Sequence, residues 1–392
     1  MPLLAPTGRA GLAAMTLAIQ DLRGRRLASP EALETFLRAH SFPLVEGENV
    51  TFVWRGEADR VHLRHWIYGL PSSQALRRLE GSDLWYLSIA LPERSRVEYK
   101  FELYRGNTVE LVTDPLNTHL ATDPMGANSV VHAPGYEVPD YTFFDANARP
   151  GTLETVVLAS ESFGEPRPVQ VYLPARFRPT RRYPLLVVHD GSDFLRYAGL
   201  KTVLDNLIHR LDLPPLVAAL TDSPRRLSEY ADDARHARFL SCELLPALEA
   251  RYPLARTRDA RCLLGASFGA VASLAAAWRH PGVFGNLALL SGSFAFTDIG
   301  AHDRGPVFDP VVEFVNAFRA QPGRPSERVY LACGIYESLI YYNRSIYPLL
   351  QSTGMSVRFS EVRDGHNWEN WRDRLREGLS WLFPGPLWMV YE

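Results

Sequence analysis

The stretch LLGASFGAVASLAAA, Leu263–Ala277, places one serine between two glycines, with an apolar run before it and an alanine-rich run behind it. A serine there adds nothing to a strand and little to a helix, so a chemical role explains it better. Gly265-Ala266-Ser267-Phe268-Gly269 reads G-x-S-x-G at a strand-to-helix junction. Small residues two before and two after the serine let the strand and helix backbones approach, and the serine projects from a tight turn. The helix behind it adds a dipole that favours developing negative charge. A serine hydroxyl is a weak nucleophile until a base takes its proton. RVYLACGIYE ends a strand at Glu337, and VRFSEVRDGHNW ends another and leaves His366 in the following loop. The pattern casts Ser267 as nucleophile, His366 as base and Glu337 as the acid that orients the imidazole. Asp298 and Asp364 are the competing acids: Asp298 follows the strand after the serine turn, while Asp364 stands so near His366 that its reach is awkward. The tetrahedral oxyanion needs two N–H donors. Phe268, directly after the nucleophile, is one, and Ser192 in VVHDGSD is the other, with Gly191 permitting the turn. HDGS as an ordinary β-turn is the alternative.

These residues need elements to carry them. After about Gly151, apolar strands alternate with helices: VQVYLP, YPLLVVHDG, PPLVAALTD, DARCLLGAS, NLALLSGSF, RVYLACGIYE and VRFSEVRDG are strands, and LKTVLDNLIHRLDL, DDARHARFLSCELLPALEARY, SIYPLLQSTG and WENWRDRLREGLSWLF are helices between or after them. Continuous Val/Leu strands separated by helices predict a mostly parallel sheet covered on both faces. The order serine, acid, histidine at successive strand ends is that of the α/β-hydrolase layout. The preceding texture differs. NVTFVWRG, RVHLRHWIYGL, DLWYLSIALP, RVEYKFELYRG and TVELVTDP alternate apolar with polar residues, which suits a small antiparallel β-sandwich. LASPEALETFLRAH, 27–40, reads as a helix capped by Ser29 with Pro30 in its first turn. The fold class is therefore α/β, with a helix and an antiparallel sandwich over 27–146 and a catalytic domain over 151–386.

Composition excludes several classes. The chain has 392 residues, 46% hydrophobic and 22% charged, with a net charge of −2, so it lacks the basic excess of a nucleic-acid binder. No apolar run is long enough to span a bilayer. Cys242, Cys262 and Cys333 fit no metal spacing and, as an odd set in apolar segments, read as buried free thiols in a reducing compartment. The run GLAAMTLAI has no clear cleavage site after it and is not read as a signal peptide, which leaves the cytoplasm as the expected location. No metal or organic cofactor is implied.

A wider set of segments resembles the enterochelin (ferric enterobactin) esterase group of the esterase-D-like α/β-hydrolases: TDPLN at Thr113–Asn117, LLVVHDG at Leu185–Gly191, SPRRLSEY at Ser223–Tyr230, LLPALEARY at Leu244–Tyr252, GASFGA at Gly265–Ala270, RHPGVFGN at Arg279–Asn286 and DGHNWENWRDRL at Asp364–Leu375. The resemblance implies a serine esterase acting on a small-molecule ester, a catecholate siderophore that holds iron. It also implies that an N-terminal sandwich helps shape the site, and that Arg226 lies near the substrate. A ferric tri-catecholate is strongly anionic, and Arg225, Arg226, Arg235 and Arg238 are the cations expected to meet it, unless their helix is simply a solvated one of mixed charge. Thr297–Pro310 is expected to cover the pocket. Trp368 and Trp371 read as core rather than as stacking platforms, and Trp54, Trp66, Tyr68, Trp85 and Tyr86 as either core or the sugar face of an early-set, immunoglobulin-like module. A carbohydrate or feruloyl esterase, an acyltransferase, and a non-catalytic glycan-binding protein that keeps the serine turn as a relic are the rival functions.

Overall fold

The computed structural model describes residues 17–24, 30–297 and 304–384. The chain forms two compact units, one of Met1–His65, Pro71–Leu120 and Asn128–Tyr136, the other of Trp66–Leu70, Ala121–Ala127 and Glu137–Glu392.

The alternating N-terminal segments build two antiparallel sheets. One runs in the order Leu44–Glu46, Asn49–Arg55, Leu84–Ala90, Arg77–Arg78. The other runs Ser73–Ala75, Arg60–His65, Arg96–Arg105, Gly126–His132, Leu120–Asp123, with Thr108–Val112 also paired to Arg96–Arg105. Alternation buries Val61, Leu63 and His65 from one strand and leaves its polar residues outward. The sheets meet through edge-to-face rings: Phe52 lies 4.7 Å from Tyr99, and Trp54 5.5 Å from Phe101. Of the five aromatics that suggested a sugar face, Trp54, Trp85 and Tyr86 are buried, while Trp66 and Tyr68 are exposed. Trp54 stands opposite Trp85 in strand register, so that pair serves the core. The helix Pro30–Ala39 buries Leu33 and Phe36, three residues apart on one face. Its expected cap, Ser29, lies outside the described residues.

The second unit holds an eight-stranded sheet. Its strands are β1 (Thr152–Ser160), β2 (Glu165–Leu173), β3 (Leu185–His189), β4 (Val217–Thr221), β5 (Arg261–Ala266), β6 (Asn286–Leu290), β7 (Arg328–Gly334) and β8 (Ser356–Val362). They lie in the order β1-β2-β4-β3-β5-β6-β7-β8. The β1–β2 and β2–β4 pairs are antiparallel and the rest parallel. All residues of β3, β4 and β6 are buried, as expected of strands covered on both faces. Strand β1 is the one that the apolar pattern misses. It is an edge strand with most residues exposed or half-buried, so it carries no continuous hydrophobic signal.

One expectation along this unit is revised, and another falls partly outside the described residues. The long helix anticipated before β5 is broken by a π-helical turn, Phe239–Leu244, between Ala234–Arg238 and Leu245–Arg251. Pro246 lies two residues past that turn, and a proline lacks the N–H that the α-helical ladder needs. The expected cover at Thr297–Pro310 includes 298–303, which lie outside the described residues; its last residues start the helix Asp309–Ala320. That helix buries Val311, Val312, Phe314, Val315 and Phe318 in the core.

One of the tightest backbone approaches in this unit falls at the start of the helix after β5. A Cβ on Gly265 would lie 2.1 Å from the Gly269 carbonyl oxygen and 2.8 Å from the Ala270 nitrogen. Both are backbone atoms and cannot swing aside. Gly265→Ala is therefore expected to destabilise the fold by roughly 2–4 kcal/mol, within the range of overpacking and strain effects. Urea unfolding of the variant checks this, and a midpoint equal to wild type would contradict it.

Candidate active site

Four parallel strands bring the site together. Their register sets Ala266 opposite Leu290, Leu290 opposite Ala332, and Gly334 opposite Val362. The residues that follow these strands, Ser267, Ser291, Glu337 and His366, therefore emerge at one edge of the sheet. This is why a serine, an acid and a histidine so far apart in the chain can act as neighbours.

Ser267 holds φ 58° and ψ −120°, a left-handed conformation that a non-glycine residue adopts only when its surroundings impose it. Its amide donates to Leu290 O at 2.9 Å, and its carbonyl accepts the Ser293 amide at 3.2 Å. The turn is thus tied to the end of β6. The Ser267 hydroxyl pairs with Ser293 Oγ at 3.2 Å rather than with the imidazole. Catalytic hydrogen bonds of this kind often tighten only once substrate is bound.

His366 and Glu337 are in direct contact, His366 Nδ1 to Glu337 Oε2 at 2.6 Å. The Glu337 carboxylate is buried, and its other oxygen accepts both the Gly334 amide and the Ser291 hydroxyl at 2.6 Å. Three donors therefore fix one carboxylate, and His366 turns its Nδ1 edge to it. Asp364 instead accepts from the Gly365 amide and the Asn367 side chain, and Asp298 lies outside the described residues. Sequence reading missed Ser291 and half of the role of Trp371. Ser291 is a buried non-glycine residue at φ 47°, and its hydroxyl accepts the Trp371 indole N–H at 2.9 Å. The Trp371 ring also packs edge-to-face on His366, centroids 5.0 Å apart. Trp371 is core, as its spacing suggested, but core that touches both Ser291 and the His366 ring. Trp368 packs on Phe194 and Trp371.

The other wall of the site differs from the expectation. Phe268 is the first residue of the helix Phe268–Arg279, where an α-helix leaves amides without intrahelical partners. The Ser192 amide, expected as the second donor, already donates to Asp222 Oδ1 at 3.1 Å, and its hydroxyl bonds Asp222 Oδ2 at 2.5 Å. An amide committed to a carboxylate is taken out of the role assigned to it. Arg226 points at Asp190 with two nitrogens, each 2.7 Å from a carboxylate oxygen. The other arginines of that segment are paired too: Arg225 with Glu165, Arg235 with Asp233 and Arg238 with Glu161. The mixed-charge reading of this segment fits better than a basic patch. Among the cysteines, Cys262 and Cys333 are buried and free, whereas Cys242 is exposed, on the π-helical turn. Among the described residues no His/Cys/Asp/Glu group could hold a metal, and no helix is long and apolar enough to cross a membrane.

A buried histidine pair lies beneath the elbow. His189 Nδ1 faces Leu264 O at 3.2 Å and Ser273 Oγ at 3.1 Å, and Ser273 gives its own proton to Gly269 O. Nδ1 must therefore carry the hydrogen, and Nε2 accepts from His236 Nε2 at 3.1 Å. His236 Nδ1 is left buried and unpartnered. Burial lowers the His189 pKa to about 4, and burial, His189 and Arg167 lower that of His236 well below its ordinary value. The unfolded chain binds these protons near pH 6.5 and the folded chain does not. Stability is thus full above about pH 6.5 and falls as pH drops toward 4, by roughly 3 kcal/mol for His189 alone. Urea midpoints at pH 7.5, 6 and 5 are expected to decline in that order. A flat profile would mean that both imidazoles are accommodated charged.

Comparison with known proteins places the chain in a family. Residues 160–382 match the model of the putative esterase family, and residues 49–139 match the enterochelin esterase N-terminal model. The iron(III) enterobactin esterase of Escherichia coli O6:H1 is 26% identical over 368 residues, covering 84% of this chain and 90% of that protein. Among solved structures, the ferric enterobactin esterase of Salmonella typhimurium superposes with a TM-score of 0.74 at 22% identity, covering 89% of this chain and 98% of that one. The enterobactin esterase of Shigella flexneri, crystallised in the presence of enterobactin, gives 0.72 at 22% identity, covering 91% and 98%. The eight-stranded, mostly parallel sheet and these neighbours define an α/β-hydrolase fold. The chain belongs to the putative esterase family and is an enterochelin esterase-like carboxylic ester hydrolase.

Proposed function

We propose that this protein is a serine esterase that opens the ester bonds of a catecholate siderophore, with iron as cargo of the substrate. The observation that carries the reading is the buried Glu337 bonded to His366 at the sheet edge where the strained Ser267 turn also emerges. The match of 49–139 to the enterochelin esterase N-terminal model supports the substrate class.

His366 Nε2 takes the Ser267 proton as Oγ attacks the ester carbonyl, and Glu337 stabilises the imidazolium through Nδ1. The Phe268 amide receives the oxyanion. Because the Ser192 amide is occupied, the second donor is assigned to the amide of Gly191, one residue earlier on the same turn. The imidazolium then protonates the leaving alcohol, and water hydrolyses the acyl-enzyme by the same steps. Residues 151–386 act as the catalytic domain, and 27–146 as an immunoglobulin-like early-set domain, a reading supported by its two antiparallel sheets. The free thiols support a reducing, cytoplasmic setting.

Ser267→Ala is expected to lower kcat by at least about 10³-fold on both p-nitrophenyl butyrate and a catecholate siderophore ester, with an unchanged unfolding midpoint. Hydrolysis above a trace by this variant would sink the nucleophile assignment. A wild type that cuts only the simple ester would keep the triad and discard the substrate. Glu337→Gln should cost less than Ser267→Ala, on the order of 10²-fold, since it orients and does not react. Wild-type activity in that variant would move the acid elsewhere.

A further inference from the structure

The arginine that the sequence offered as a substrate contact is turned inward, onto the backbone turn that carries the oxyanion side of the site. Asp190 ends the run after β3 and adopts φ 54° and ψ 44°, a left-handed conformation that is unfavourable for a residue with a Cβ. Something must hold it there. Its amide donates to the Tyr230 hydroxyl at 3.3 Å, and its carboxylate receives Arg226 Nε on one oxygen and Arg226 Nη2 on the other, each at 2.7 Å. Asp190 is 5% exposed, so this bidentate pair is largely shielded from water.

The far end of the pair is also anchored. The Arg226 guanidinium lies 5.6 Å from the Tyr230 ring centroid. The short helix Arg226–Glu229 ends in Glu229, which is buried and held by both terminal nitrogens of Arg167 on β2, at 2.9 and 2.8 Å. The near end touches the elbow. A Cβ on Gly269, two residues after the nucleophile, would lie 3.1 Å from His189 Cβ and 3.5 Å from Asp190 Oδ2. The turn and the nucleophile helix are therefore in contact, and a shift of one is felt by the other.

We propose that Arg226 is a positioning residue: through Asp190 it holds the Asp190–Ser192 turn against the Ser267 elbow, so that an amide of the turn is aimed at the reacting carbonyl oxygen. It also answers an electrostatic problem. Asp190, Asp193 and Asp222 gather at this turn, where the reaction builds further negative charge; burial, with Asp190 and Asp222, already raises the Asp193 pKa. Arg226, with Arg196 acting on Asp193, supplies the compensating positive charge. The inference rests on the esterase reading above.

The test compares wild type, Arg226→Lys, Arg226→Met, Asp190→Asn and the Arg226→Met/Asp190→Asn double variant. Substrates are neutral p-nitrophenyl butyrate and an iron-loaded, anionic tri-catecholate ester. Binding of an aryl trifluoromethyl ketone, which forms a tetrahedral adduct on the serine, reports the oxyanion side directly. Arg226→Met is expected to lower kcat by about 10–100-fold on both esters, with KM within about threefold, and to weaken the ketone by a similar factor. Arg226→Lys recovers part of the loss, because an ammonium keeps the charge but not the fork. Asp190→Asn costs a similar factor, and the double variant is no worse than the poorer single one, because both remove one contact. Unfolding midpoints near wild type for Arg226→Lys and Asp190→Asn separate these effects from loss of fold. If Arg226→Met leaves kcat on the neutral ester within twofold and raises KM only for the anionic ester, Arg226 is a substrate contact and the proposal is overturned. Multiplying single effects would overturn it as well. A wild type inactive on both esters would instead overturn the esterase reading.

Discussion

Backbone contact between Gly265 and Gly269 is the constraint on which the site depends. Strand β5 and the helix after it meet with no room for a methyl group, and the chain reverses over the residues between. Ser267 is pressed into its left-handed conformation by that closeness, and hydrogen bonds to Leu290 and Ser293 keep it there. A half-buried serine keeps this positive φ because its surroundings are backbone and cannot relax.

From that turn, two walls are built by different means. The acid–base wall is made by strand ends in register and a carboxylate with three donors: His366, Ser291 and the Gly334 amide. A carboxylate so bound keeps one position, and the imidazole inherits it. The Trp371 indole closes the set from the last helices, touching both the Ser291 hydroxyl and the His366 ring. The turn proposed to receive the oxyanion is part of a loop, and a loop needs bracing. Its left-handed Asp190 is held by Tyr230 and Arg226 above a layer of neutral histidines. A largely shielded ion pair and uncharged imidazoles thus support the same turn.

The arrangement also bears on how an anionic substrate would be met. The arginines of 225–238 have carboxylate partners, so their positive charge is spent within the protein. Selectivity for a catecholate must then come from other groups around the edge of the sheet, or from ring contacts rather than from a cationic field. Near neutrality of the chain, with a net charge of −2, is consistent with that.

Sequence alone determined the periodic and local features. Continuous Val/Leu runs marked the inner strands because a strand buried on both faces has no polar side to show, and alternation marked strands such as Arg60–His65, where buried positions alternate with less buried ones. The glycines around Ser267 and the chain order of Ser267, Glu337 and His366 were legible because a tight turn restricts residue type and parallel topology restricts order. Edge strand β1 was not legible, being mostly exposed, nor was the π turn before Pro246. What only the tertiary structure decided was partnership. That Glu337, rather than Asp364, meets His366, that Asp222 occupies the Ser192 amide, and that Arg226 faces Asp190 all depend on groups brought together from distant parts of the chain. A hydrogen bond is specified by angstroms and direction, and residue type sets only the capacity to form one.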